Sequence, residues 1–542
     1  MPKKLLFNEK ARTKLLKGAK IVADAVGSTL GPKANNVAIE RPFGAPSVLH
    51  DGVSVAKEID LKDPDENLGA QLIKEAAQKT NDKAGDGTTT ATILTYAMTQ
   101  EAIKNIAAGA NAMMLKKGME LAVKDIVRSL KRLARKIKTN DEIKNIATIS
   151  AQDETIGNLI TSAIKKLGKK CIIVVEESAK PTMEMEYKEG MQFDKGWVSP
   201  YFVTNPETME AIIEDAWIMI TDAKITTNAQ FIEWAKNIEN QYSEGKPQPQ
   251  MPKNIVVIAS EVSGIALASM IQNKMQGFLN ILAVQAPQYG EAQKDILRDI
   301  AVVTNGNFIS EEAGGSLATM KLQDFGHAKR VVSTKDSTII VDGEGSKEGI
   351  THYTHILEEL LNKTTSEFEK EKLEERIAKL TSGIAVINVG APSEMEMKEK
   401  KERCIDAIEA TKAAIEEGIV RGGEVAYLAA INGLQCESAG DIKTGYNLVL
   451  KAVVRPFEVL MENSGYDSGM MLERLQATEM GIDVRDGIKK DMIKAGIIDP
   501  VKVSRVALQN ALSCACSIMT TNCLITDIKE NKDDSGTISQ TQ

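Results

Sequence analysis

Apolar side chains recur at intervals of three and four over about residues 8 to 29, 64 to 80, 88 to 107 and 112 to 135. That spacing gathers them on one face of a 3.6-residue turn and predicts four long amphipathic helices. From Cys171 to Asn307 the pattern changes. Short apolar runs, among them residues 171–175 and Asn254–Ala259, alternate with helical stretches, as in an α/β domain. Two charged helices follow, one over about residues 351 to 361 and one from the Ser366-x-x-Glu369 capping box to Leu380. Leu373, Ile377 and Leu380 recur at four and three, so the pair is expected to pack as a hairpin. After Gly383 come a short strand over residues 384–389, a long charged helix to Glu417 and a helical remainder. A chain of 542 residues outgrows a single core, and two or more domains are expected.

Composition removes several function classes. Lys and Arg number 67 against 75 Asp and Glu, and the net charge of −8 argues against nucleic acid as the main partner. No apolar run reaches the roughly 18 residues of a membrane span. The basic N-terminus MPKKLLFNEKARTKLL has the look of a transit peptide, but Glu9 interrupts it. Aromatic residues are only 4% while Met reaches 22, which suits adaptable apolar surfaces better than rigid aromatic pockets. Cys171, Cys404, Cys436, Cys514, Cys516 and Cys523 lack paired Cys-x-x-Cys spacing and read as reduced, buried thiols. His352 and His355 lack a third ligand and read as part of a solvated helix start.

The stretch Ala84-Gly85-Asp86-Gly87-Thr88-Thr89-Thr90-Ala91-Thr92 sets a carboxylate between two glycines and follows it with three hydroxyls on a helix-compatible run. Such a turn can hold a metal ion on Asp86 and bring N–H and hydroxyl groups of Thr88, Thr89 and Thr90 against phosphate. Taken alone, it is equally an ordinary polar turn capping a helix. Thr29-Leu30-Gly31-Pro32-Lys33 ends a helix with a Gly-Pro stop where an anion could sit, and Asp51-Gly52, after His50, offers a second carboxylate on a turn. No G-x-x-x-x-G-K-[ST] loop occurs, and Gly343-x-Gly345-x-x-x-Gly349 has the wrong spacing for a dinucleotide fingerprint, so conventional kinase and Rossmann readings lose.

In this order and spacing, TLGPK (29–33), DGVSVA (51–56) and GDGTTTAT (85–92) resemble the group I chaperonins, the GroEL-type chaperonin 60 family. The resemblance continues through GMQFDKGWVSPYF (190–202), EMKEKKERCIDAIEATKAAIEEG (396–418) and GIIDPVKVSRVALQNA (496–511), and covers the chain from Lys4 to about Lys529. It implies a multidomain α and α/β protein. A mainly helical equatorial ATPase domain would span 1–132 and 417–542, a small intermediate hinge domain 133–188 and 385–416, and an α/β apical domain 189–384. It further implies a cytoplasmic ATPase of the protein-folding isomerase class, using ATP, Mg²⁺ and K⁺. That ATPase would assemble as two sevenfold rings, bind non-native polypeptides and work with a GroES-type co-chaperonin.

By the same resemblance, Asp406 would swing onto the nucleotide and polarise the attacking water, with Asp51 as its partner carboxylate, so that domain closure gates hydrolysis. Thr29, Leu30, Gly31, Pro32 and His50 would line the phosphates together with Asp86, Gly87, Thr88, Thr89 and Thr90. Gly423, Asp483 and Asp499 would meet adenine and ribose, and Gly190, Gly383 and Gly418 would serve as hinges. Leu267, Met270, Ile271 and Met275 share one face of a helix over residues 263–277, a stripe that periodicity alone assigns to core. The resemblance instead places that stripe, with Trp197, Tyr201, Phe202, Phe231, Ile232 and Trp234, at the mouth of a client-binding cavity.

Three departures bear on the nucleotide. His50 stands where the family usually has Lys, Glu424 where a third glycine is usual, and Arg485 near the base where a small residue is common. His50 predicts weaker phosphate attraction and a steeper pH dependence. The Pro-rich segment 243–252 looks like an insertion, and the tail from Lys529 to Gln542 is polar, lacks Gly-Gly-Met repeats and is expected to be disordered. Two rival functions remain at this stage: a non-cycling scaffold with impaired ATPase and a small-molecule kinase.

Overall fold

The computed structural model describes residues 3–40, 47–49, 51–169, 171–178, 180–206, 208–227, 252–364, 366–381, 383–475 and 480–527. His50, Phe231, Ile232, Trp234, the segment 243–250 and the tail 529–542 lie outside the described residues. The protein is multidomain, helical in one part and α/β in the other. It divides into two compact units, one of residues 1–162, 177–182 and 389–542, the other of residues 163–176 and 183–388.

The first unit is built from long helices at the positions the apolar spacing predicts: Asn8–Gly27, Pro64–Ala84, Thr88–Ala107 and Ala112–Leu133. Ala11, Leu15, Ala19, Val22 and Val26 form the buried stripe of the first. That helix stops before residue 29 because the Ser28 and Thr29 hydroxyls turn back to the carbonyls of Ala25 and Val26. The second outruns the expected end at residue 80, since its polar last turn stays helical until Gly85 caps it in the left-handed conformation. Val501–Thr520 packs against the second, third and fourth of these helices, and its buried Asn510 amide donates to the Thr80 hydroxyl at 3.0 Å. Leu94, Met98, Leu115, Met119, Tyr446 and Leu508 fill one core cluster, and Val22, Val26, Val55 and Ile73 fill another. The two ends of the described chain meet in an antiparallel pair, Lys3–Phe7 with Cys523–Asp527.

The second unit holds the α/β fold. Its seven-stranded sheet has a parallel part, in which Ala211–Thr221, Asn254–Ala259 and Asn280–Gln285 are neighbours. An antiparallel part, Gly326–Ser333, Thr338–Gly343 and Gly190–Phe193, joins it at strand Ala211–Thr221. Strands Asn254–Ala259 and Asn280–Gln285 are buried on both faces, which explains their near-continuous apolar sequence. Helices Lys347–Lys363 and Glu367–Thr381 do form the expected hairpin, with Leu357, Leu373, Ile377 and Leu380 turned to the core. Arg376 of that hairpin makes a two-pronged contact with the carboxylate of the fully buried Asp299. A guanidinium fork on a carboxylate satisfies both groups away from water.

The helices that a three-domain layout assigns to the hinge, Asn140–Ala151 and Glu394–Glu417, pack with the first unit, whereas strands Glu184–Lys188 and Ile384–Val389 are grouped, but for Val389, with the second. Among the described residues, no helix is long and apolar enough to cross a membrane.

Candidate nucleotide site

Asp86 sits in a hairpin bend between two antiparallel helices. Gly85 ends the Pro64–Ala84 helix at φ +67°, and Gly87 starts the Thr88–Ala107 helix at φ +80°. Both angles are left-handed, which glycine adopts without penalty, and a Cβ on either would also strike Glu409 or Val503. Gly87 has no side chain with which to cap the new helix, whose intrahelical bonding begins with the Ala91 N–H on the Gly87 carbonyl. The N–H groups of Thr88, Thr89 and Thr90 thus point from the positive end of a 20-residue helix with no partner inside it. That arrangement fits an anion.

Acids ring this helix end. Asp86 accepts the Gly87 N–H on one oxygen and the Ser150 hydroxyl, at 3.1 Å, on the other. Asp51 caps helix Gly52–Glu58 by accepting the Ser54 N–H at 2.8 Å. Next to it, Gly52 lies so close to the threonines that a Cβ there would fall 2.4 Å from the Thr89 hydroxyl. Asp406, midway along helix Glu394–Glu417, is half-buried, and burial together with the facing charges of Asp51 and Asp86 holds its carboxyl well above the usual range. Burial likewise raises Asp86, with Asp51 adding to the effect and the two hydrogen bonds opposing it. Asp51 and Asp406 thus lie within electrostatic reach of Asp86, with Gly52 packed on Thr89 and Gly85 on Glu409, in the helix that carries Asp406, although the three acids are far apart in sequence.

A second wall comes from the segment Arg421-Gly422-Gly423-Glu424. Strand Ile419–Arg421 pairs with Ile498–Pro500, setting Val420 opposite Asp499. An Asp499 carboxylate oxygen lies 2.9 Å from where a Gly422 Cβ would be, so only glycine leaves room. Burial pushes Asp499 up to about 8, with Glu424 and Asp86 contributing and the Gly423 N–H opposing. Glu424 itself is left-handed at φ +62°, and the Thr90 hydroxyl donates to its carboxylate at 2.5 Å. Burial pushes Glu424 up to about 7 against that hydrogen bond.

The remaining expected positions are close by in packing but differ in what they offer. The Thr29 hydroxyl is buried and donates to Val26, so as it stands it has no proton for phosphate. Leu30 packs in one apolar cluster with Leu460 and Ile482, which sets the 29–32 turn beside strand Gly481–Asp483. Asp483 already accepts the Lys490 ammonium at 2.8 Å and the Arg485 N–H at 3.0 Å. The Met492 methyl lies 3.0 Å from where a Cβ on Gly423 would be, and Met492 also packs on Gly481, tying the two wall segments together. Sequence reasoning missed Ser150, Asn463, whose amide donates to the carbonyls of Gly27 and Leu30, and Tyr466, whose ring lies under the Lys33 ammonium at 5.1 Å. None of the three belongs to a motif; only their tertiary contacts reveal them.

Asp86 is a hard oxygen donor beside an anion site, and among the described residues no group of three or more His, Cys, Asp or Glu side chains converges to close a metal shell. One or two carboxylates with the rest of the shell left to phosphate and water is the coordination Mg²⁺ favours. The donor set fits that ion.

In the second unit two expected client contacts are corrected. Phe202 and Met270 are 0% exposed and belong to the core, because the helix Gly264–Met275 lays that face on the sheet. Trp197, Leu267 and Ile271 are half-buried against the same core. On helix Gly264–Met275 and the segments beside it, Tyr201 at 67%, Ile265 at 65%, Met275 at 73% and Phe278 at 66% are left open; elsewhere in the unit Met209, Tyr289 and Leu360 are exposed as well.

The chain belongs to the TCP-1/cpn60 chaperonin family, whose sequence profile matches residues 22–529. Its role is therefore that of a chaperone. Its fold matches the chaperonin gp146 from bacteriophage EL 2 (Pseudomonas aeruginosa), crystallised in the presence of ATP-BeFx. With crystal form II of that protein the TM-score is 0.71 at 22% identity, covering 97% of this chain and 99% of that one. With crystal form I the TM-score is 0.63 over the same coverage.

Proposed function

We propose that this protein is an ATP-driven folding chaperonin, in which hydrolysis times the capture and release of non-native polypeptides. The observation that carries the reading is the Gly85-Asp86-Gly87 bend at the start of the Thr88 helix, with Gly52 packed on Thr89 and with Asp51 and Asp406 in electrostatic reach of Asp86. Asp86 would hold Mg²⁺, which neutralises phosphate charge when bound, and K⁺ would serve as the monovalent companion. The N–H groups of Thr88 to Thr90 would cradle the β and γ phosphates. Asp406, with Asp51, would orient the attacking water and take its proton. The crystallisation of the phage EL chaperonin with ATP-BeFx supports nucleotide at a site of this kind.

Clients would be held on the exposed side chains Tyr201, Ile265, Met275 and Phe278, since Met and aromatic surfaces adapt to many partners. Assembly as sevenfold rings in the cytoplasm, a GroES-type lid and gating by movement at Gly190, Gly383 and Gly418 complete the proposal. A second reading, a scaffold that binds clients but cycles poorly, is favoured by one observation: Glu424 occupies the Thr90 hydroxyl. Phosphate release by wild type and by Asp406→Ala decides between them. A wild-type rate well above the variant's supports the cycling machine, and equal rates support the scaffold.

A further inference from the structure

Glu424 is the one acid of the site held by a hydroxyl that the nucleotide would also use. Its backbone, at φ +62°, lies in the left-handed region that side-chain-bearing residues rarely adopt. It starts helix Val425–Ile431, yet its side chain caps nothing there. Instead the carboxylate reaches across to Thr90, 334 residues away, and accepts that hydroxyl's hydrogen at 2.5 Å. A threonine hydroxyl has one proton to donate. While Glu424 holds it, a phosphate oxygen arriving at the Thr88 helix end meets a threonine hydroxyl whose one hydrogen is already donated and a carboxyl group behind it.

The charged group that acts on Glu424 is another acid, Asp86, and Glu424 in turn acts on Asp499. Asp86 comes from the glycine bend and Asp499 from strand Ile498–Pro500. The buried Tyr427, on Glu424's own helix, sends its hydroxyl away to the Ser504 carbonyl at 2.7 Å. On the premise that nucleotide phosphates bind at the Thr88 helix end, we propose that Glu424 is a positioning residue that competes with them for the Thr90 hydroxyl and holds nucleotide affinity down. Phosphate binding then requires Thr90 to let go of Glu424, so the strength of that one contact tunes how much nucleotide the ring needs.

The test is calorimetric binding of MgADP to the full-length protein, which reads affinity without turnover. Glu424→Gly keeps the left-handed backbone and removes the competitor; the expected result is about tenfold tighter binding, the equivalent of one good polar contact. In a Thr90→Val background, where there is no hydroxyl to compete for, the same change should yield less than half of that gain. Glu424→Asn also tolerates the left-handed backbone but is too short to reach Thr90. It should reproduce the gain if the glycine variant fails to fold. Affinity within twofold of wild type in both variants overturns the competition, as does an undiminished gain in the Thr90→Val background. If neither wild type nor any variant binds MgADP, the nucleotide reading itself falls, and the two failures are thereby distinct.

Discussion

In the proposed cycle Asp406 would combine two roles that are in tension. A carboxylate near a triphosphate is repelled by it, but a carboxyl held above its usual range by burial and by Asp51 and Asp86 is a stronger proton acceptor once ionised. Replacing it with Ala is expected to cut ATP turnover by about 10²–10⁴, the usual range for a positioned base, while MgADP affinity by calorimetry stays close to wild type or tightens. Glu424 and Asp499 make a separate prediction about stability. Their carboxyls, pushed up to about 7 and about 8, bind protons more tightly folded than unfolded. The native state therefore carries extra protons from about pH 4, where the unfolded carboxyls titrate, up to those values. Stability contributed by these groups is full below that window and is lost as pH rises through 7 and 8. The nucleotide-free protein should melt at lower temperature at pH 8.5 than at pH 6, and Glu424→Gln should flatten the slope. Equal slopes in scanning calorimetry would show that Glu424 does not titrate there.

At the scale of elements, the site is a junction: the end of one helix, the start of another and a turn pressed against both. Gly85 and Gly87 let the Pro64–Ala84 and Thr88–Ala107 helices meet with Asp86 at the bend. Gly85→Ala adds a left-handed penalty of roughly 1–2 kcal/mol and a clash with Glu409, and should lower both the melting temperature and MgADP affinity. Gly52→Ala should behave differently, because its φ is not left-handed and its Cβ meets the rotatable hydroxyls of Thr89 and Thr88 at 2.4 and 3.0 Å and the Thr89 N–H behind them. Stability should change little while affinity falls several-fold, and a loss of stability equal to that of Gly85→Ala would refute the distinction. The helices were readable in the sequence because a period of three and four states both the element and its buried face. Strands Asn254–Ala259 and Ile384–Val389 were readable as short apolar runs bounded by polar residues. The pairing of Ile419–Arg421 with Ile498–Pro500, and the reach of Glu424 to Thr90, were not, since local pattern says nothing about which distant segments meet. Asp86 with its glycines and Asp51 on its Gly turn could be picked out as candidates by chemistry, whereas Asp406 needed the family resemblance to be singled out from the other acids of its charged helix.

For the whole molecule, the proposed capture of clients requires apolar surface that stays open without costing the fold, and in the second unit a single helix carries both buried and exposed apolar side chains. Met270 and its neighbour Phe202 go to the core, while the Lys274 ammonium donates to the Phe202 carbonyl at 2.7 Å and burial pulls its pKa down to about 8. These contacts fix the helix Gly264–Met275 on the sheet and hold Ile265 and Met275, at its two ends, outward. An apolar stripe read from sequence cannot tell these faces apart, because Leu, Ile and Met serve a core and a promiscuous surface equally well. The structure lets them be tested separately. Changing Ile265, Met275 and Phe278 together to Ser removes exposed side chains only, so the melting temperature and ATP turnover should hold while suppression of aggregation of a denatured client is lost. Met270→Ala instead opens a cavity and should destabilise the α/β unit by about 2–5 kcal/mol, with client binding lost only as that unit unfolds. Capture unaffected by the triple substitution would move the client surface elsewhere on the unit, and Tyr201, on the turn that carries Phe202, is the next side chain to remove.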